Sequence, residues 1–404
     1  MPIDKEDLKK RRWPLPSFPI GQEVVGRKGK ESGVVFYDDA GRKAIAKEGK
    51  IYANIPFPKD YLKSCYVSEE KVKAIPLPIP PGECAINSLV KDREGKIYGA
   101  TSGEKSHLFV YNPKGESAAI VDLGVVEKNC KKSSLVISAD NKLFLGTKPE
   151  IGETLPAGRQ GYIYSYSPKS ASGKIEKLIC PVKGEGIVSL AIDNNLNRIY
   201  GLSSKTGTFF IFYPDKGSVE LKEKIDKDNL FSELLVVTST GDVFGGGRWT
   251  KLFKYEVKKE RLVPLKIKAP SICGREVYNK IESLIWEEKS QSIYGGTSAD
   301  GILFQFFPKE EKVISLGKPL NQPHIRCLAI GKDNCVYGIA GKSCCHLFKY
   351  NPQEGDLQDL GILYVSSPRY WHGYEFDAAV TGENGEIYLG ESDRISHLFV
   401  YYPT

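Results

Sequence analysis

The stretch "KIYGATSGEKSHLFVYNPKGE" (96–116) returns near the other end of the chain as "EIYLGESDRISHLFVYYPT" (386–404). Between them the same order of residues recurs in weaker form: a short alternating apolar stretch, a polar turn, I-Y-G, a polar loop, then L-F-x-Y and often Pro. The aromatic landmark of the unit falls at Tyr52, Tyr98, Phe144, Tyr200, Phe244, Tyr294, Tyr337 and Tyr388, at intervals of 43 to 56 residues. No other feature constrains the fold as strongly. A unit of this length is one supersecondary element that buries its apolar faces only against copies of itself.

Each unit reads as four strands, a to d. Strand a is the stretch before the turn, as in "NSLVKD", "SSLVISA", "VSLAID", "ESLIWE" and "RCLAIG". The a–b turns carry Gly, Asn or Asp, which accept the positive φ of tight hairpins. Strand b is the I-Y-G segment, strand c is "HLFVY", "TFFIF" or "KLFKY", and strand d is "AAIVDLG", "KVISLG" or "DLQDLG". Period-2 alternation marks half-buried strands, and no stretch sustains helical periodicity. The expectation is an all-β β-propeller of eight four-stranded blades, with seven as the alternative.

The last unit ends at its strand c, so a strand from the N-terminal region must complete it and hide the open edge. In an eight-bladed ring that strand is "QEVVGR" or "SGVVFYD"; in a seven-bladed ring it is "VKAIPLPI", with residues 1–70 as a decoration. The degenerate unit at Tyr52, whose "KAIAKEGKIYAN" echoes "SLVKDREGKIYGA", favours eight. The implied division is an N-terminal arm with a candidate closing strand over 1–31 and one propeller domain over 32–404.

Composition narrows the partners. Lys and Arg number 57 against 50 Asp and Glu, a net charge of +7, thin for 404 residues. The one dense basic run, Lys9-Lys10-Arg11-Arg12, reads as a solvated arm, so neither nucleic acid nor a membrane is expected as partner. The start of the chain has no apolar leader core, and no apolar run approaches the roughly 20 residues of a membrane helix. Nine scattered cysteines without a CxxC pair read as reduced thiols, which points to the cytoplasm and away from a structural zinc site. The oligomeric state leaves no mark in the sequence.

The strand order places b–c and d–a loops on one face. The d–a loops are long and irregular, "PLKIKAPSICGREVYNKIE" (264–282), "LGKPLNQPHIR" (316–326) and "GILYVSSPRYWHGYEF" (361–376), and long loops on a rigid scaffold carry function. All five histidines map to this face. His107, His346 and His397 open strand c, where they either pack between blades or, with Cys345, hold a metal; no cofactor is required, though a divalent ion would suit them. His324 and Arg326 sit in "QPHIR". Arg369, Tyr370, Trp371, His372 and Tyr374 sit in "RYWHGYE". Arg248 and Trp249 follow three glycines in "GGGRWTK", and "CGREVYNK" adds Arg275, Tyr278 and Lys280. Aromatic rings with Arg and His suit an oligosaccharide or another small anionic ligand; a protein or peptide partner on the same rim is the alternative.

At the level of the "IYGGTS…LFxYxP" repeat, residues 84–404 resemble bacterial carbohydrate-active propellers of the ulvan lyase and oligogalacturonate lyase kind. The resemblance implies β-elimination on uronic-acid glycosides. There a cation neutralises the substrate carboxylate, a His or Tyr takes the proton and a Tyr or His protonates the leaving oxygen. Carried onto this chain, His372 would be the base, Tyr370 or Tyr374 the acid, and Arg326 or Arg369 the neutralising cation, with His324 in support. Arg248, Trp249, Arg275, Tyr278, Lys280 and Trp371 would line the substrate path.

Overall fold

The computed structural model describes residues 66–403 except 116–118, 151–158, 171–172, 226–231, 343–344 and 367–370, together with the backbone of four short strands between residues 22 and 53. The fold is an all-β propeller. Helix among the described residues is limited to two single 3₁₀ turns, Glu69–Lys71 and Glu276–Tyr278. No helix is long and apolar enough to cross a membrane. The described cysteines are free thiols.

The repeat has a simple packing reason. The Gly of I-Y-G lies under the Phe of L-F: a Cβ built on Gly201, Gly245, Gly295 or Gly338 would sit 2.1–2.6 Å from the ring of Phe210, Phe253, Phe304 or Phe348. Only a residue without a side chain leaves room for that ring. The Tyr of I-Y-G turns the other way and meets the Tyr of L-F-x-Y in the following unit. Tyr200 reaches Tyr255, Tyr294 reaches Tyr350, Tyr337 reaches Tyr401 and Tyr388 reaches Tyr111, with ring centroids 5.8–6.2 Å apart. One aromatic thus fills its own sheet and the other joins neighbouring sheets, which is why units so far apart in sequence are written alike.

From residue 66 onward the described strands form five four-stranded sheets, one of six strands and a two-stranded ribbon, Tyr364–Val365 with Trp371–His372. The expected eight four-stranded blades are therefore not what the sheets display, nor are seven separate ones. Two units share the six-stranded sheet because Ile120–Ile137 pairs first with Ile97–Tyr111 and then, past an irregularity at Cys130–Lys132, with Leu143–Pro149 of the next unit. Residues 22–53 make a separate four-stranded meander, Gln22–Val25, Val34–Tyr37, Lys43–Lys47 and Lys50–Ala53.

The ring closes through Val72–Pro76, which pairs antiparallel with His397–Tyr401, placing Ile75 opposite Leu398 and Lys73 opposite Val400. The closing strand is thus the "VKAIP" segment. "QEVVGR" and "SGVVFYD" instead supply Gln22–Val25 and Val34–Tyr37, which pair with each other. Splayed inner strands leave main-chain groups without ladder partners, and serines bridge the gaps. Ser134 Oγ accepts from Leu190 N (2.9 Å), Ser189 Oγ from Leu235 N (3.1 Å), and Ser283 Oγ donates to Ile325 O (2.8 Å). The S-L pair of strand a is the sequence trace of this hydroxyl girdle.

Candidate functional site at the channel mouth

The residue before each S-L pair, or its equivalent, faces the ring axis. Aligned by strand, that column reads Asn87, Ser133, Val188, Glu233, Glu282, Arg326 and Asp377, and six of the seven are polar or charged. Together with Lys131, Lys132 and Lys280 they line a central cavity of about 350 Å³. Beside it, and sharing Lys280, lies a shoulder pocket of about 460 Å³ lined by Arg248, Trp249, Tyr278, Asn279 and His324, among others. Both volumes fall in the range of small-molecule sites, about 300–1,000 Å³.

His324 and Glu282 connect the two cavities. His324 Nδ1 lies 2.7 Å from Glu282 Oε2. Burial works to raise the Glu282 carboxyl, but the His324 bond and the charges of His324, Lys280 and Arg326 hold it below the usual carboxylate range. An ionised carboxylate only accepts, so the hydrogen of this bond sits on Nδ1. Lys280 Nζ stands 3.4 Å from Glu282 Oε1. Arg326 donates to Glu375 Oε2 (3.3 Å) and Asp377 Oδ1 (3.2 Å), and these acids, with Glu282, raise the guanidinium further above its ordinary value against the effect of burial.

Backbone strain marks the same place. His324 (φ 69°), Trp249 (φ 58°) and Thr250 (φ 56°) are in the left-handed region, which bulky and β-branched residues avoid. Main-chain bonds hold them there: His324 N donates to Ser298 O (2.6 Å), and Trp249 N to Asn279 O (2.8 Å). Asn279 is itself buried. Its Nδ2 donates to Asp300 Oδ2 (2.8 Å), and that oxygen also accepts from Ser271 Oγ (2.6 Å) and Ile272 N (2.9 Å). The carboxylate of Asp300 therefore staples the 270–280 loop that presents Tyr278 and Lys280. Strain held by surrounding structure clusters at functional sites.

Of the residues singled out from the sequence, Arg248, Trp249, Tyr278, Lys280 and His324 share the shoulder pocket, and Arg326 lies in the adjoining channel. Arg275 stands at the base of the same loop, 3.6 Å from Asp300 Oδ1. Arg369 and Tyr370 lie outside the described residues. Of the rest of their loop, Trp371 and the Tyr374 main chain are tied to Glu391, while the Tyr374 ring is exposed. Trp371 Nε1 donates to Glu391 Oε2 (3.0 Å), as do Tyr374 N to Oε1 (3.0 Å) and His397 N to Oε2 (3.0 Å). His372 lies against the rings of Tyr66 and Tyr364, and burial lowers its pKa. It lines neither cavity.

The strand-c histidines are also engaged. His107 Nδ1 lies 2.9 Å from Asp122 and Nε2 3.0 Å from Glu83; His346 Nδ1 lies 2.9 Å from Asp359; His397 Nδ1 lies 3.3 Å from Glu391. Cys345 is buried, with its thiol on Gly341 O. Among the described residues no group of three His, Cys, Asp or Glu converges as metal ligands. The signal missed in the sequence is a paired one: "HLF" in strand c goes with "DLG" in strand d. His397 has no such Asp, since Ala74 of the closing strand stands opposite Phe399, where Asp122 and Asp359 stand opposite Phe109 and Phe348. Glu233, Glu282 and Asp377 were also missed, although the column before the S-L pair would have found all three.

No family model and no curated protein sequence matches the chain. Solved structures do. The extracellular domain of BT4673 from B. thetaiotaomicron aligns with TM-score 0.61 and 15% identity over 83% of this chain, which spans only 40% of that one. A streptogramin B lyase aligns at 0.62 and 10% identity, covering 81% of this chain and 96% of its own. U3-55K aligns at 0.57 and 14%, covering 83% and 100%. An extracellular domain of a one component system, a lyase and a U3 protein share this architecture, and nothing in them singles out the ulvan or oligogalacturonate lyases. At such low identity the likeness shows the fold, and the chain is a β-propeller by that comparison as well as by its own strands.

Proposed function

We propose that the channel mouth and its shoulder pocket bind an anionic oligosaccharide and that the His324–Glu282 pair acts on it by β-elimination. The single observation that carries this reading is the 2.7 Å bond that orients the His324 imidazole, in a pocket also lined by Arg248, Trp249, Tyr278 and Lys280. Nε2 of His324 takes the proton α to the sugar carboxylate. Lys280 and Arg248 neutralise that carboxylate as the C–H bond breaks and negative charge spreads onto it. The electron pair forms the ring double bond, the glycosidic C–O bond breaks, and the Tyr278 hydroxyl returns a proton to the leaving oxygen. Trp249, which is 37% exposed, offers a face for sugar stacking.

Blade number belongs to the same reading. The two halves of Ile97–Tyr111 must fold back on each other, because a Cβ on Gly99 would lie 2.1 Å from the Phe109 ring. Ten residues of a straight strand would separate these positions by about 33 Å. We count the six-stranded sheet as two blades, which makes seven units completed by Val72–Pro76.

The test is the ultraviolet absorbance of an unsaturated uronate, followed over a panel of uronate oligosaccharides with the wild type and with Glu282→Gln. The reading expects growth of absorbance in the wild type and a rate about 10²-fold lower or less in the variant. Equal rates would remove the dyad from the mechanism. A protein partner on this rim is the second reading, favoured by exposed Ile272, Val277 and Tyr278 beside Trp249; a flat absorbance trace with a co-purifying protein would select it.

A further inference from the structure

The two sides of the channel mouth carry opposite charge balances. On one side Arg326 and His324 face Glu282, Glu375 and Asp377. On the other, Lys131, Lys132, Lys148, Lys280 and Arg248 gather around the single carboxylate of Glu233. Burial works to raise Glu233, yet Lys132, Lys280, Lys148 and Arg248 together hold it low. Lys148 is lowered by its burial, with Glu233 opposing that effect and Lys132 and Lys131 adding to it. Glu233 closes no tight bond with its neighbours: Lys148 Nζ stands 3.7 Å away and Lys280 Nζ 3.8 Å, both beyond ordinary hydrogen-bond length. Lys131 and Lys132 have no ion pair among the described residues.

We infer that this half of the mouth is a subsite for a tetrahedral oxyanion, a phosphate or sulfate ester carried on the sugar ligand. The inference rests on the reading of the mouth as a ligand site and adds the class of its second charged group. Three lysines reach the cavity from separate places, Lys131 and Lys132 from the inner strand and Lys280 from a d–a loop, and Lys148, at the end of the neighbouring strand, stands 3.7 Å from the Glu233 carboxylate that lines it. Ammonium groups are compact point charges with rotatable donors, so three of them converging suit an anion with three outward oxygens. A planar carboxylate is better matched by the Arg fork. Glu233 serves as the resident counter-ion that keeps the lysines gathered in the free protein. An arriving ester adds negative charge where cations outnumber anions, and so relieves repulsion among them.

The test is isothermal titration of the full chain at low salt with glucose 6-phosphate, glucose 6-sulfate and, as neutral control, glucose. Binding of one or both esters over glucose is expected, weakening as NaCl is added. Whichever ester binds more tightly identifies the source of the oxyanion. The double variant Lys132→Gln/Lys148→Gln should weaken that binding roughly tenfold or more, the loss of one to two charge-assisted bonds. Its thermal unfolding should stay close to the wild type. His372→Gln, outside both cavities, should leave ester binding unchanged, and ester binding without any uronate turnover would keep the subsite and discard the lyase reading. Equal heats for the esters and glucose, or full ester affinity in the folded double variant, would overturn the subsite.

Discussion

The 245–251 and 316–326 loops and the 361–376 loop offer nearly the same inventory: Arg, His, Trp and flanking polar residues on one face of the ring. They end in opposite conditions. In the second, Trp371 and Tyr374 are tied to Glu391, whose side chain has no exposure, and His372 is packed between Tyr66 and Tyr364. In the first pair, Trp249 and His324 are forced into the left-handed region and still leave their side chains lining an open pocket. What separates a candidate site from packing is where the polar valences go. In the 361–376 loop the Trp371 indole and the Tyr374 main-chain N–H end on one buried carboxylate, which leaves those donors no capacity for a ligand.

The contrast can be broken at its scaffold first. A chain beginning after residue 76 lacks Val72–Pro76 and exposes the edge of His397–Tyr401. Loss should approach the whole stability of a domain, roughly 5 kcal/mol or more, with oligomers or aggregates visible by light scattering. A monomer that melts like the full chain would show that the ring does not depend on this strand.

Next comes the clamp. Glu391→Leu strands the donors of Trp371, Tyr374 and His397 in a buried place, at a cost of about 3 kcal/mol read from the urea midpoint. Ligand binding at the shoulder should survive it. If binding were lost while the fold remained, the two regions would be one site. Gly295→Ala should cost somewhat less, about 1–3 kcal/mol, because the new methyl meets the Phe304 ring.

The smallest effect is a slope. Burial lowers the His372 pKa, so below about 6.5 the unfolded chain takes up a proton there that the folded chain refuses. Folding stability contributed by this residue is complete above that pH and falls as pH drops toward the folded value. Glu282, held low in the fold, acts on the same side: its contribution is present above the ordinary Glu value and is lost as pH falls through its folded one. His372→Gln should flatten the stability profile between neutral and mildly acid pH, measured by urea midpoints. An unchanged slope would mean that His372 titrates as if unfolded.

The ring was legible because its determinants are local and repeated. A Gly sits beneath the Phe in the units at Tyr98, Tyr200, Phe244, Tyr294 and Tyr337, and Tyr200, Tyr294, Tyr337 and Tyr388 reach the next sheet, so most units advertise one or both. The number of sheets was not legible, because the passage of Ile120–Ile137 from pairing with Ile97–Tyr111 to pairing with Leu143–Pro149 depends on register rather than residue type. The shoulder residues Arg248, Trp249, Tyr278, Lys280 and His324 were found by loop position and chemistry. Their acidic partners were overlooked because Glu233, Glu282 and Asp377 sit inside strands, where alternation alone makes an outward polar residue look ordinary. His372 drew attention through its neighbours in sequence, whereas the rings against which it packs, Tyr66 and Tyr364, lie outside that run.

The most direct measurement compares the initial rate of uronate elimination, and the affinity for the same oligosaccharide, in His324→Gln and His372→Gln, each checked for native melting. The account predicts that His324→Gln loses about 10²–10⁴ in rate while His372→Gln keeps wild-type rate and affinity. An inactive His372→Gln beside a fully active His324→Gln, or a wild type that neither binds nor cleaves any uronate oligosaccharide, would contradict it.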